Sequence, residues 1–107
     1  MCYHSLNGHS LLISDFADRL VKQGYLVAAI DYPNFGKSEG DKRGCIETFT
    51  SVAEPSERFF YHIKNRYQNN RMYMMGYSLG GAVAFCLANK ISTKDLNGVI
   101  LLSPAIR

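Results

Sequence analysis

Short unbroken apolar runs, separated by stretches of helical periodicity, constrain this chain most. Leu26-Val27-Ala28-Ala29-Ile30, Met72-Tyr73-Met74-Met75 and Val99-Ile100-Leu101-Leu102 do not alternate apolar with polar. A strand with one wet face alternates; an unbroken run predicts burial on both faces, as in a parallel sheet. Between these runs, residues 10–23 place Leu12, Ile13, Phe16, Ala17, Leu20 and Val21 on one helical face. Ser10 is placed to cap that helix, and Gly24 falls at the position after its end where a positive φ stops the chain. A second helix is expected over 52–67, with Val52, Phe59, Phe60, Ile63 and Tyr67 inward. Pro55 should confine that helix's start, because proline suits only a first turn. A third helix is expected over 79–90, and Met1 to Tyr3 reads as the tail of a further strand. Strands alternating with helices predict an α/β fold around a parallel sheet with right-handed crossovers.

Composition narrows the classes. At 107 residues the chain suits one small domain, and 47 % hydrophobic content supplies a core. The net charge of +3 is scattered among acids and shows no basic stripe, which argues against a nucleic-acid partner. Cys2, Cys45 and Cys86 are odd in number, with no pair at metal-ligand spacing, so a reduced, cytoplasmic setting is expected. Cys86 lies in an apolar helical run and reads as a buried structural thiol. Met1-Cys2-Tyr3-His4 has neither the basic nor the apolar part of a signal peptide, and no run reaches membrane-spanning length.

Gly76-Tyr77-Ser78-Leu79-Gly80 carries the chemistry. G-x-S-x-G between a buried strand and a helix fits a nucleophile elbow, in which a tight turn lifts a serine hydroxyl above the sheet. Neighbouring side chains would collide in such a turn, and Gly76 and Gly80 relieve that. Gly81, Ala82 and Ala84 extend the small face, and the helix start turns its positive dipole end toward the serine. The same spelling also suits a glycine-rich turn that only packs a helix or cradles a phosphate. It is neither a dinucleotide fingerprint nor a Walker A sequence.

Four further segments carry a resemblance. His4-Ser5-Leu6-Asn7-Gly8-His9-Ser10 resembles an H-G-x-x-x-H-S loop, and Asp31 to Gly40 resembles D-x-R-G-x-G-x-S-x-G. Arg43-Gly44 with Glu47-Thr48-Phe49, and Leu102-Ser103-Pro104-Ala105, resemble the stretches that follow in the same order. Together with Gly76 to Gly81, these segments are similar to the monoacylglycerol lipase and lysophospholipase branch of the α/β-hydrolases, the serine aminopeptidase-like group. Ser5 departs from the family's glycine, Pro33-Asn34 from its Arg-Gly, and Tyr77 from its histidine.

The resemblance implies a partial α/β-hydrolase domain over 1–107, running from the oxyanion loop to the strand after the nucleophile helix. It implies four parallel strands near 1–4, 26–31, 72–77 and 99–103 in the spatial order 2-1-3-4, with helices on both faces. The family's first strands, lid and C-terminal strands have no counterpart in these residues. Ser78 would be the catalytic serine of a lipid-ester hydrolase, acting without metal or cofactor. The backbone N–H groups of Leu6 and Leu79 would form the oxyanion hole. Asp31 would support a loop, and His4, His9 and His62 would be structural or surface residues. The family's triad acid and histidine have no match here, so the 107 residues alone should be inactive. The expected partner is a small-molecule or lipid ester, with membrane-surface contact through the family's lid and self-association of the isolated stretch. The alternative is a binding protein, or a gene fragment, on the same fold.

Overall fold

The computed structural model describes residues 2–3, 14–33 and 48–106. Its elements are β1 (Cys2–Tyr3), α1 (Ser14–Lys22), α2 (Thr50–Arg66), β2 (Tyr73–Tyr77), α3 (Leu79–Lys90) and β3 (Gly98–Leu102). The helix boundaries follow from local chemistry. Gly24 takes a φ of +92° after α1. There its N–H donates to the Val21 carbonyl at 2.9 Å, and the Tyr25 N–H donates to Leu20 at 3.1 Å. That pair of bonds is a Schellman ending, and glycine adopts the required conformation without a Cβ penalty. The expected cap at Ser10, with Leu12 and Ile13, lies outside the described residues.

α2 starts earlier than its proline suggests. Pro55 lies inside the helix, beyond the first turn. The reason is upstream: the Ser51 N–H donates to Thr48 Oγ1 at 3.2 Å, and the Ser51 hydroxyl donates to the Thr48 carbonyl at 2.5 Å. These exchanges start the helix before the proline, which then costs only the N–H that would have met the Ser51 carbonyl.

The sheet is parallel, in the order β1-β2-β3. Cys2 and Tyr3 pair with Met75 and Gly76, and Tyr73 to Tyr77 pair with Gly98 to Leu102. The expected four strands in the order 2-1-3-4 are therefore not formed. The 26–31 segment makes one parallel bridge, Ala29 to Cys2, alongside a 2.9 Å bond from the Cys2 N–H to the Ala28 carbonyl. Its centre is Ala28-Ala29, and alanine is a poor strand former with little side chain to pack on a neighbour.

α3 packs across all three strands, and α2 lies against α3. Met72, Met74 and Gly76 point under α3 and are buried, while Phe60, Val83 and Leu87 close the core from the helices. The other sheet face is open among the described residues: Tyr73, Tyr77, Ile100 and Leu102 are 45–53 % exposed. This corrects the expectation of burial on both faces. α1 borders an open groove there with Tyr73, Met75 and Ile100, and none of its residues is buried. Cys86 is exposed, not buried, because Val83, Ala84 and Leu87 face the core and leave Phe85 and Cys86 outward. Cys2 is buried, and burial pushes its thiol pKa up. No helix among the described residues is long and apolar enough to cross a membrane.

A candidate nucleophile elbow

Ser78 is the single residue between β2 and α3. The chain reverses from strand to helix through it, at φ 53° and ψ −114°. A non-glycine residue enters that region only at a cost of roughly 1–3 kcal/mol, and stays there only where its surroundings compel it. Three backbone hydrogen bonds tie it to its surroundings. The Ser78 N–H donates to the Leu102 carbonyl at 3.0 Å, at the end of β3. The Ser78 carbonyl accepts from Ala82 at 3.1 Å and from Ala105 at 2.9 Å.

Glycines make room for the reversal. A β-carbon on Gly76 would overlap the Gly80 carbonyl oxygen and stand 2.6 Å from the Gly81 nitrogen. One on Gly81 would stand 2.8 Å from Pro104 Cα. Gly80, Gly81, Ala82, Val83 and Ala84 are all buried, so the first turns of α3 lie directly on the strands. Tyr3, the last residue of β1, pairs with Gly76 and is buried. Its hydroxyl donates to the Ser56 carbonyl at 3.2 Å. Burial holds the phenols of Tyr3 and Tyr32 well above their ordinary pKa.

The Ser78 side chain is half-exposed at the start of α3. The first N–H groups of a helix have no acceptor within it, and the N-terminal end carries partial positive charge. Leu79, the first residue of α3, brings such an N–H directly after the serine. A hydroxyl beside such a donor is the arrangement that attack on an acyl carbonyl requires, because the carbonyl oxygen becomes an anion as the bond forms.

The structure thus brings Gly76, Ser78, Leu79 and Gly80 together at one turn. Leu6, with His4, Ser5 and His9, lies outside the described residues, as do Cys45 and the 34–47 part of the second resembling segment. His62 is exposed on α2. Sequence reasoning missed the part played by Ser103 to Ala105. The segment was visible as a resemblance, but the bonds that Leu102 and Ala105 make to Ser78 join residues far apart in sequence and leave no local pattern.

A parallel sheet with a strained serine between strand and helix has an α/β fold similar to that of a monoacylglycerol lipase. The chain belongs to the hydrolase family Hydrolase_4, serine aminopeptidase, S33, which it matches over residues 1–107. It is similar to the monoacylglycerol lipase of Paleococcus ferrophilus, at 26 % identity and a TM-score of 0.81, over 99 % of this chain and 38 % of that one. It is also similar to the quorum-quenching protein AidA of Acinetobacter baumannii (strain MDR-ZJ06), at 29 % identity over 103 residues. That match takes in 94 % of this chain and 33 % of AidA. The chain therefore spans well under half the length of either relative.

Proposed function

We propose that Ser78 is the nucleophile of a serine hydrolase that cleaves carboxylic esters, with lipid esters such as monoacylglycerols or lysophospholipids as substrates. The observation that carries this reading is the Ser78 backbone at φ 53°, in a turn where a β-carbon on Gly76 or Gly81 would clash with backbone. Strain of that kind persists where function uses it. In this reading residues 1–107 form the part of one hydrolase domain that holds the nucleophile.

Ser78 Oγ attacks the ester carbonyl while its proton passes to a histidine. The oxyanion accepts hydrogen bonds from the N–H groups of Leu79 and Leu6. Collapse of the tetrahedral intermediate expels the alcohol, which takes the proton from the histidine, and leaves an acyl-serine. Water then attacks, the histidine again moving the proton, and the carboxylic acid departs. The histidine and its acid would come from sequence that the relatives have beyond this stretch. One relative is named a monoacylglycerol lipase, which supports a lipid-ester substrate; the other is named for quorum quenching.

The test is to extend this chain with the C-terminal portion of the Paleococcus ferrophilus lipase and treat it with a serine-directed phosphonate. The label is expected on the peptide containing Ser78 and should vanish in Ser78→Ala. A label that lands elsewhere, or survives that substitution, overturns the assignment.

A further inference from the structure

Two described residues other than glycine have positive φ, Ser78 at 53° and Ser103 at 43°. They are 25 positions apart in sequence, yet the same strand end joins them. Leu102, just before Ser103, accepts the Ser78 N–H, and Ala105, just after Pro104, donates to the Ser78 carbonyl. Both faces of the Ser78 peptide framework are thus held by one short turn. Pro104 also sits against Gly81, so the turn touches the elbow from the helix side as well.

Ser103 is an improbable residue for this turn. A positive φ disfavours any residue with a β-carbon. The following proline disfavours it again, because a residue before proline is pushed toward extended backbone. Its side chain is exposed, so side-chain burial does not compensate. A doubly disfavoured backbone persists only where its surroundings over-determine it, and such places cluster at functional sites.

We infer that the turn from Ser103 to Ala105 is a positioning clamp, which holds the Ser78 backbone in its strained conformation through the Leu102 carbonyl and the Ala105 N–H. The inference rests on the reading of Ser78 as nucleophile and adds the residues that aim it. Ser103 touches no reacting atom in this account and acts through Ser78. The clamp belongs to β3, so the serine's geometry depends on the pairing of β2 with β3 as well as on the elbow's own glycines.

The experiment is residue-resolved amide hydrogen exchange on the 107-residue chain, comparing the native sequence with Ser103→Val and Ser103→Gly. In the native chain the Ser78 and Ala105 amides are expected to be protected. Valine tolerates a positive φ far less than serine, so Ser103→Val should speed exchange at both amides by at least about tenfold. The Leu87 and Ile91 amides, deep in and after α3, should hold their rates. Ser103→Gly keeps the left-handed turn without its cost and should leave both amides protected, which keeps the test decisive if the valine variant does not fold. Unprotected Ser78 in the native chain, unchanged exchange in Ser103→Val, or lost protection in Ser103→Gly would each overturn the clamp.

In the extended hydrolase the same two variants should separate on kcat with KM unchanged. A misplaced nucleophile loses rate, so Ser103→Val should fall by about tenfold or more while Ser103→Gly holds. Equal kcat in both variants, or a change confined to KM, would contradict positioning. If Ser78 is not the nucleophile, the extended protein takes no label there, while the exchange result still decides whether the clamp exists.

Discussion

Gly76 and Gly80 meet so closely across the elbow that a β-carbon on the first would overlap the carbonyl oxygen of the second. The last residues of β2 and the first turn of α3 are both backbone there, so neither can yield as a flexible side chain would. Gly76→Ala should therefore destabilise the chain by about 2–4 kcal/mol. Gly24→Ala is the comparison. A β-carbon there meets nothing within 4 Å. Only its positive φ is at stake, so the loss should be about 1–2 kcal/mol. Urea denaturation of the two variants checks the ranking, and a Gly76 variant as stable as the native chain would contradict the close approach.

Ser78→Gly should raise stability while it removes the hydroxyl. Serine at φ 53° carries a strain that glycine does not, worth about 1 kcal/mol or more. The expected result is a higher thermal midpoint together with loss of phosphonate labelling in the extended hydrolase. A lower midpoint would mean that the serine side chain contributes more to folding than its backbone costs.

These positions show what the sequence makes legible. Crowding at the elbow is local, so Gly76-Tyr77-Ser78-Leu79-Gly80 could be read between a strand and a helix, and Gly24 could be read as a helix end. Other features answer to distant parts of the chain. Tyr73 and Ile100 sit in apolar runs that predict cover on both faces, yet they are 45 % and 53 % exposed, because α1 only borders the groove over them and buries none of its own residues there. Cys86 lies in a helix apolar enough to hide which of its sides faces out. Pro55 misled because the Thr48 and Ser51 exchanges that start α2 lie one turn upstream. The bonds from Leu102 and Ala105 to Ser78 depend on strand pairing, which no short window contains.

Stability should fall in alkali. Burial raises the pKa of the Tyr3 and Tyr32 phenols. The folded chain therefore keeps these protons where the unfolded chain releases them. The stability they contribute is complete below about pH 10. It falls above that by about 1.4 kcal/mol per pH unit for each phenol ionised only in the unfolded chain. Cys2, raised in the same direction by burial, starts a similar loss from about pH 9. Tyr3→Phe should flatten the alkaline slope. It should also cost about 1 kcal/mol at neutral pH, through the lost bond to the Ser56 carbonyl. A thermal midpoint that does not change between about pH 8 and pH 11 would contradict this.

The open sheet face predicts association of the isolated chain. Tyr77, Ile100 and Leu102 place exposed apolar surface beside β3, the last strand in the sheet order. An apolar face next to a strand edge that has no partner among the described residues invites contact between copies. Size-exclusion chromatography of the 107 residues should show species larger than a monomer. Ile100→Lys should shift them toward monomer. A native chain that elutes as a monomer at all concentrations would count against this account of the exposed face.

The proposal that matters most is that Ser78 supplies the nucleophile and that its base comes from sequence outside these 107 residues. Loss of the histidine alone costs a well-studied serine protease about 10⁶ in kcat, so a serine without its base should not be measurable above background. The decisive measurement is hydrolysis of a short-chain nitrophenyl ester and a monoacylglycerol by three proteins: the chain alone, the chain extended with the lipase's C-terminal portion, and the extended form with Ser78→Ala. Turnover is expected from the second protein only. Ser78-dependent turnover by the chain alone, or undiminished turnover in the Ser78→Ala form, would contradict the account.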